Sequence, residues 1–224
     1  MSSLEILVTS DGSHTLRNTD LNETYHSVHG ALQESMHVFI ANGLGYFVQK
    51  HQQKNISVLE VGFGTGLNAM LAWEYAIQNR IHIEYCTLEP FPLAEFLWRQ
   101  LNYGQLLKDA DHFVALHKAG WGTKNLLSAE FTLLKVQTTL EKAHLEGDEY
   151  DIVFFDAFAP SVQPEVWMIE SLKKIVTSLK PHGVFVTYSA KGQLKRDLRS
   201  LGMAVETLAG PPGKNEMTRA VKGR

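Results

Sequence analysis

A chain of 224 residues with 44% hydrophobic content suits one α/β domain with a small extension and a sizeable core. No apolar run reaches the ~18 residues that span a bilayer. The first residues lack a signal-peptide pattern, and the single Cys86 excludes an internal disulfide, so a cytoplasmic protein is expected. The net charge of −3 is unevenly spread: residues 1–90 carry four basic groups against nine acids, residues 191–224 eight against three. That asymmetry suits a polyanion held against the C-terminal end, or a solvated helix face followed by a basic tail.

In chain order, Leu4 to Thr9 reads as a strand, Asp11-Gly12 as a hairpin turn and His14 to Arg17 as the return. Ala31 to Ile40 has helical apolar spacing, with Gly43 and Gly45 as its expected end. From Ile56 strands and helices alternate, the pattern of a doubly wound, mostly parallel sheet. Strands are expected over Ser57–Val61, His82–Leu88, Thr132–Val136, Ile152–Phe155 and Gly183–Tyr188. Helices are expected over Leu67–Gln78, Leu93–Leu101, Glu165–Leu179 and Gln193–Ser200, and Ala204–Thr207 and Thr218–Val221 close the sheet. Segment Asn102–Glu130 has no clear period; a short helix and a substrate-side loop fit it. The expected organisation is an N-terminal extension, 1–55, of hairpin and helix, packed on a core, 56–224, as one functional domain.

The run Leu59-Glu60-Val61-Gly62-Phe63-Gly64-Thr65-Gly66-Leu67-Asn68 carries the strongest signal. A β-branched strand, three alternating glycines and a helix make a turn where backbone approaches a ligand closely. The third glycine comes one residue earlier than in a dinucleotide fingerprint, and Glu60 stands two residues before the first. This form resembles motif I of S-adenosylmethionine (SAM) methyltransferases. An acid here suits a cofactor bearing an ammonium and a sulfonium better than a pyrophosphate. Glu89 ends the second core strand, 23 residues after Gly66, where doubly wound folds use an acid to hold ribose hydroxyls.

The fourth core strand delivers Asp156 to its C-terminal end, followed by Ala157-Phe158-Ala159-Pro160. This D-x-x-x-P stretch is similar to motif IV of amino methyltransferases without matching it letter for letter. A carboxylate there can hold an amine and accept its proton; a helix cap or a loop acid is the plainer alternative. The third strand ends without an acid, so Gln137 or Thr138 is left to meet the adenine edge. His26, His29 and His37 lack recognisable ligand spacing and no metal is expected; they read as partly buried residues near a substrate mouth. There is no nucleophile elbow and no P-loop.

Several stretches together resemble the methyltransferase part of the MnmC family, bifunctional tRNA 5-methylaminomethyl-2-thiouridine biosynthesis proteins, and its stand-alone form MnmD. They are Asp11 to Leu16, Tyr25 to Ala31, Glu34 to Ile40, Glu60 to Asn68, Asp156 to Pro164 with Trp167, Thr187 to Gly192, and Gly210 to Met217. The resemblance implies SAM-dependent N-methylation of 5-aminomethyluridine, or its 2-thio form, at the tRNA wobble position. It implies no membrane partner, aminomethyl tRNA supplied by upstream enzymes, and no flavin, since nothing here matches the family's FAD oxidase part.

For the cofactor the resemblance implies Glu60, Gly62, Phe63, Gly64, Gly66, Asn68 and Glu89, beside Gln137 from the strand end, with Tyr25 and Glu34 covering it from the N-terminal segment. Asp156 is the expected catalytic residue. Phe158, Pro160, Trp167 and Tyr188 are expected at the uridine, and Lys191, Arg196, Lys214 and Arg219 at tRNA phosphates. The three aromatics have equally plain roles in the core. Other readings stay open: a class I methyltransferase of a small amine or a protein, an aminopropyltransferase, or a non-catalytic RNA-binding module.

Overall fold

The computed structural model describes residues 4–224; the first three residues of the expected 1–55 extension lie outside the described residues. The strands are β1 (Leu4–Val8), β2 (His14–Asn18), β3 (Glu23–Thr24), β4 (Asn55–Val61), β5 (His82–Leu88), β6 (Lys124–Ser128), β7 (Phe131–Val136), β8 (Tyr150–Phe155), β9 (Leu179–Thr187), β10 (Met203–Ala209) and β11 (Glu216–Lys222). The first three form a small antiparallel sheet; the other eight form the central sheet in the order β10-β11-β9-β8-β4-β5-β7-β6. Parallel pairing runs through β7, β5, β4, β8 and β9, and the pairs at both edges are antiparallel.

The fully buried centre, such as Ile152–Phe155 of β8, is apolar on both faces because helices cover both. One face lies beneath α1 (Ala31–Ser35), the π-helical Met36–Gly45, α2 (Tyr46–His51), α3 (Leu67–Asn79), α4 (Glu95–Trp98), α5 (Tyr103–Leu106) and α6 (Ala110–Lys118). The other lies beneath α7 (Ile169–Ser178) and α8 (Gly192–Ser200). After β4 the chain winds to β5 and β7, then returns to the opposite side of β4 as β8. The crevice at the carboxyl ends of β4 and β8 is therefore the topological switch point, where open α/β sheets bind ligands.

Four expectations are corrected. Gly43 and Gly45 do not end the first helix: it runs on through a π-helical stretch to His51, and Gln52 stops it in the left-handed region at φ 51°. Gly43 is there for close approach, since a Cβ would stand 2.9 Å from Val186 Cγ2 and 3.2 Å from Phe154 Cε1. The helix expected over Leu93–Leu101 shrinks to Glu95–Trp98, followed by tight i→i+3 turns that bring Trp98 and Leu101 inward. The helix expected over Glu165–Leu179 breaks at Met168 into a 3₁₀ turn, Pro164–Trp167, and α7, which lets Trp167 turn inward; its last residue, Leu179, opens β9. Segment Asn102–Glu130 contains α5, α6 and the unforeseen strand β6. Among the described residues no helix is long and apolar enough to cross a membrane.

Gly43→Ala is expected to overpack this interface, outweighing the helix propensity gained, and to lower stability by about 1 kcal/mol. The check is the urea midpoint; an unchanged or raised midpoint contradicts the packing.

Candidate active site

Pairing of β4 with β5 sets Glu60 opposite Thr87, and the Thr87 hydroxyl donates to Glu60 Oε2 at 2.8 Å. Glu60 is fully buried and its Oε1 has no partner. Burial, opposed by Thr87 and reinforced by the nearby Asp156 charge, pushes its carboxyl up to about 8. The glycine turn follows. Gly62 has φ +96°, and a Cβ there would stand 2.7 Å from the Asp156 carbonyl oxygen. Gly64 at φ +49° lies directly beneath the Tyr25 ring. The Gly64 N–H donates to Glu89 Oε2 at 2.9 Å, and Phe91 N–H donates to Oε1 at 2.8 Å. Burial raises the Glu89 carboxyl despite these bonds.

Asp156 follows the last residue of β8, its N–H bonded to the Val61 carbonyl at 3.1 Å. It caps no helix. Asn68, in the first turn of α3, donates its side-chain N–H to Asp156 Oδ2 at 2.8 Å, and its own buried Oδ1 is unpartnered. Desolvation, then the Glu34 charge, push the Asp156 carboxyl up to about 7, against the Asn68 bond and the Lys214 charge.

The roof over this floor comes from both ends of the chain. Buried Glu34 accepts from Ser27 N–H at 2.7 Å and from the Lys214 ammonium at 2.5 Å. Lys214 also lies 3.8 Å from the centroid of Tyr188, whose hydroxyl donates to the Ala157 carbonyl at 2.8 Å. Tyr25 meets Phe158 edge-on, with centroids 5.1 Å apart, and its phenol is pushed up to about 12 by burial and then by the Glu89 charge. The histidines do not converge on a metal. His26 is buried near the Thr15 hydroxyl and held down to about 4 by desolvation. The His29 ring lies where a Cβ on Gly213 would stand, and His37 contacts the Ala209 carbonyl at 2.8 Å.

The structure thus brings together Glu60, Gly62, Gly64, Gly66, Asn68, Glu89, Tyr25, Glu34, Asp156, Phe158, Tyr188 and Lys214. Gln137 is exposed just past β7, beside Glu89, whose N–H bonds the Val136 carbonyl at 3.0 Å. Pro160 lies in the half-buried loop after Asp156, Lys191 is exposed at the N-cap of α8 and Arg196 is exposed on that helix. Four expected side chains are placed otherwise. The Phe63 ring is buried against His117 and Trp121, so only its backbone belongs to the turn. Trp167 is buried, donating its indole N–H to the Phe158 carbonyl at 2.8 Å; it braces the Asp156 loop and has no free face for a base.

Arg219 is also buried, paired with Glu206 at 2.7 Å and stacked 3.6 Å from the Tyr46 centroid, out of reach of a phosphate. Lys214 is committed to Glu34 rather than to an open basic face. Sequence reasoning missed Thr87 and Lys135. The ammonium of Lys135 sits near the Phe63 ring and caps α6 through the Leu116 and His117 carbonyls. A lone lysine in an apolar strand was its only signal.

The residues fit SAM. Two buried acceptors without partners, Glu60 Oε1 and Asn68 Oδ1, suit a cofactor ammonium, and the bare glycine turn leaves room for its backbone approach. Glu89 retains lone pairs for ribose hydroxyls. The carboxylates offer a pyrophosphate nothing.

Comparison with known proteins agrees. Residues 105–223 match a family described as S-adenosyl-L-methionine-dependent methyltransferase. The bifunctional tRNA 5-methylaminomethyl-2-thiouridine biosynthesis protein MnmC of Methylobacillus flagellatus is 30% identical over 208 residues, 87% of this chain and 32% of that protein. MnmC of Acinetobacter baylyi is 30% identical over 94% of this chain and 36% of its own length. The chain therefore spans about a third of the curated relatives it matches. The crystal structure of MnmC2 from Aquifex aeolicus superposes with a TM-score of 0.78 at 25% identity, covering 98% of this chain and 70% of that one.

Glu60 and Asp156 hold protons in the folded protein that the unfolded chain has already released by about pH 6.5, so their contribution to stability falls as pH rises to about 8. Below that window buried His26 and His117, held neutral by desolvation, act with the opposite sign. Glu60→Gln is expected to shrink the loss of urea midpoint between about pH 6.5 and 8. It should also weaken SAM binding at least about tenfold by calorimetry, since a buried charged contact is lost. An unchanged pH slope contradicts the role given to Glu60. With a SAM-shaped cradle at the switch point and the family match across more than half its length, the chain belongs to the S-adenosyl-L-methionine-dependent methyltransferases.

Proposed function

We propose that this enzyme N-methylates the aminomethyl group of 5-aminomethyluridine, or its 2-thio form, at the wobble position of tRNA. The observation that carries the reading is Asp156: a desolvated carboxylate at the end of β8, one strand from Glu60, bridged by Asn68 to the cofactor side. The relatives named for 5-methylaminomethyl-2-thiouridine biosynthesis supply the substrate class. Such a tRNA is met in the cytoplasm, where we expect the enzyme to act on amines made by other enzymes. Residues 1–55 and 56–224 are taken as one functional unit, because Glu34 and Tyr25 complete a site whose floor is built by the core.

Bound SAM supplies an electrophilic methyl on a sulfonium, and the amine lone pair takes it as the carbon–sulfur bond breaks. Glu60, Asn68, Glu89 and the glycine turn would hold the cofactor, with Tyr25 closing over the turn. Asp156 receives an amine hydrogen bond, orients the lone pair and accepts the proton released. An alkyl ammonium has a pKa of about 10 in water, so a carboxylate raised to about 7 is a better matched base than an ordinary one. Phe158 and Tyr188, both half-buried, are the aromatics left to stack the splayed uridine. Exposed Lys191 at the N-cap of α8 and Arg196 on it are the phosphate contacts; Arg219, paired with Glu206, and Lys214, paired with Glu34, have no such role.

With SAM and tRNA bearing aminomethyluridine, Asp156→Ala is expected to lose at least about 100-fold in kcat while keeping its Kd for SAM. Near-normal turnover would remove Asp156 from the chemistry. Lys191→Ala with Arg196→Ala should weaken tRNA binding and lower the log Kd against log salt slope by about 1 to 2. An unchanged slope would take α8 off the RNA surface. Arg219→Ala should lower the Tm and leave that slope intact.

A further inference from the structure

The roof of the site contains an ion pair that has no part in the steps given above. Glu34 lies in α1 and Lys214 in the loop between β10 and β11, 180 residues apart, and their charged atoms meet at 2.5 Å. Glu34 is nine-tenths buried and Lys214 about two-thirds. A pair so enclosed keeps much of its electric field, because little water screens it. The pair lies a short chain of contacts from Asp156. Lys214 packs on the face of Tyr188, Tyr188 is tied to the carbonyl of Ala157, and Ala157 adjoins Asp156.

We propose that the Glu34–Lys214 ion pair is the charge-balancing element of the amine site: by keeping two opposite charges paired in the roof beside Asp156, it keeps either one from acting alone on the carboxylate that receives the amine. This rests on the function proposed above. The two charges act on Asp156 with opposite signs, Glu34 raising its carboxyl and Lys214 lowering it. Losing either partner leaves the other uncompensated beside the reacting amine. An unpaired Glu34 would hold the amine as an inert ammonium, whereas an unpaired Lys214 would strip Asp156 of its affinity for a proton. With the pair intact the two charges oppose one another, and desolvation, the largest cause, leaves the Asp156 carboxyl raised to about 7.

The other groups facing Asp156 do not substitute for it. Glu60 of β4 is itself raised to about 8 and is partnered by Thr87. Tyr85 of β5 and Tyr188 have phenols pushed up by burial and stay neutral at working pH. Glu23 of β3 acts on Tyr188, and Asp11 on His26. His26 beside the pair is held down to about 4 and is uncharged at neutral pH. Glu34 and Lys214 are positioning residues in this scheme, acting through Asp156.

The test is a carboxyl 13C NMR titration of Asp156 in the ligand-free full chain, the signal assigned by its loss in Asp156→Asn. It is run on wild type, Glu34→Gln, Lys214→Met and Lys214→Arg. Gln keeps an oxygen for the Ser27 N–H, and Arg keeps the charge, so both retain the local fold. The expected result is a midpoint lower by about one unit in Glu34→Gln, higher by about one unit in Lys214→Met, and unmoved in Lys214→Arg. The acid limb of kcat/KM for methyl transfer to aminomethyl tRNA should move in the same directions. A latch with no electrostatic role would lower Tm and kcat but leave the midpoints together. Midpoints that stay put, or shift the same way in Glu34→Gln and Lys214→Met, overturn the proposal even if the wild type methylates tRNA. Opposite shifts in a protein that transfers no methyl to tRNA uphold the charge-balancing pair and overturn the substrate reading instead.

Discussion

Two carboxylates brought to adjacent strand ends with one asparagine between them are the constraint on which the rest of the site depends. Glu60 and Asp156 close β4 and β8, the strands that flank the reversal of winding, and Asn68 at the start of α3 bonds Asp156. Burial raises both carboxyls, with the Asp156 charge adding to the effect on Glu60 and the Glu34 charge to that on Asp156. In the proposed reaction a cation arriving on one side would relieve Glu60, and an amine arriving on the other would meet Asp156. The same separation of acids lets one crevice hold a cationic methyl donor and receive its acceptor.

The remaining elements close the crevice. The N-terminal segment, the loop between β10 and β11 and the loop after β8 come from distant parts of the chain, and polar contacts fasten them. His37 meets the Ala209 carbonyl, Lys214 meets Glu34, and Trp167 holds the Phe158 carbonyl. Behind them the long helix through Met36–Gly45 lies close on the sheet because Gly43 lets it, and Arg219 stacked on Tyr46 pins the last strand to that helix. The C-terminal basic residues are thus divided between architecture and surface, which net charge alone does not reveal.

What was legible in the sequence was local. The β4–glycine turn–α3 unit, Glu89 at the end of β5 and Asp156 after β8 each follow from a strand's apolar run meeting a change of residue type, and each lies where that reading put it. Relations across the fold were not legible. Nothing in the local pattern says that Lys214 turns to Glu34 rather than to solvent, or that Arg219 alternates inward on β11. Trp167 reads equally well as a stacking ring or a brace; the break at Met168, a tertiary effect, decides for the brace. Gly43 and Gly45 read as a helix end because glycine costs helix propensity, and close packing on Val186 overrides that cost.

The decisive experiment is transfer of label from methyl-labelled SAM to tRNA lacking this methylation, followed by digestion to nucleosides. Label is expected in 5-methylaminomethyluridine or its 2-thio form, and none when Asp156 is alanine. Tight SAM binding with label in another nucleoside, in a protein or small amine, or in no acceptor would contradict it.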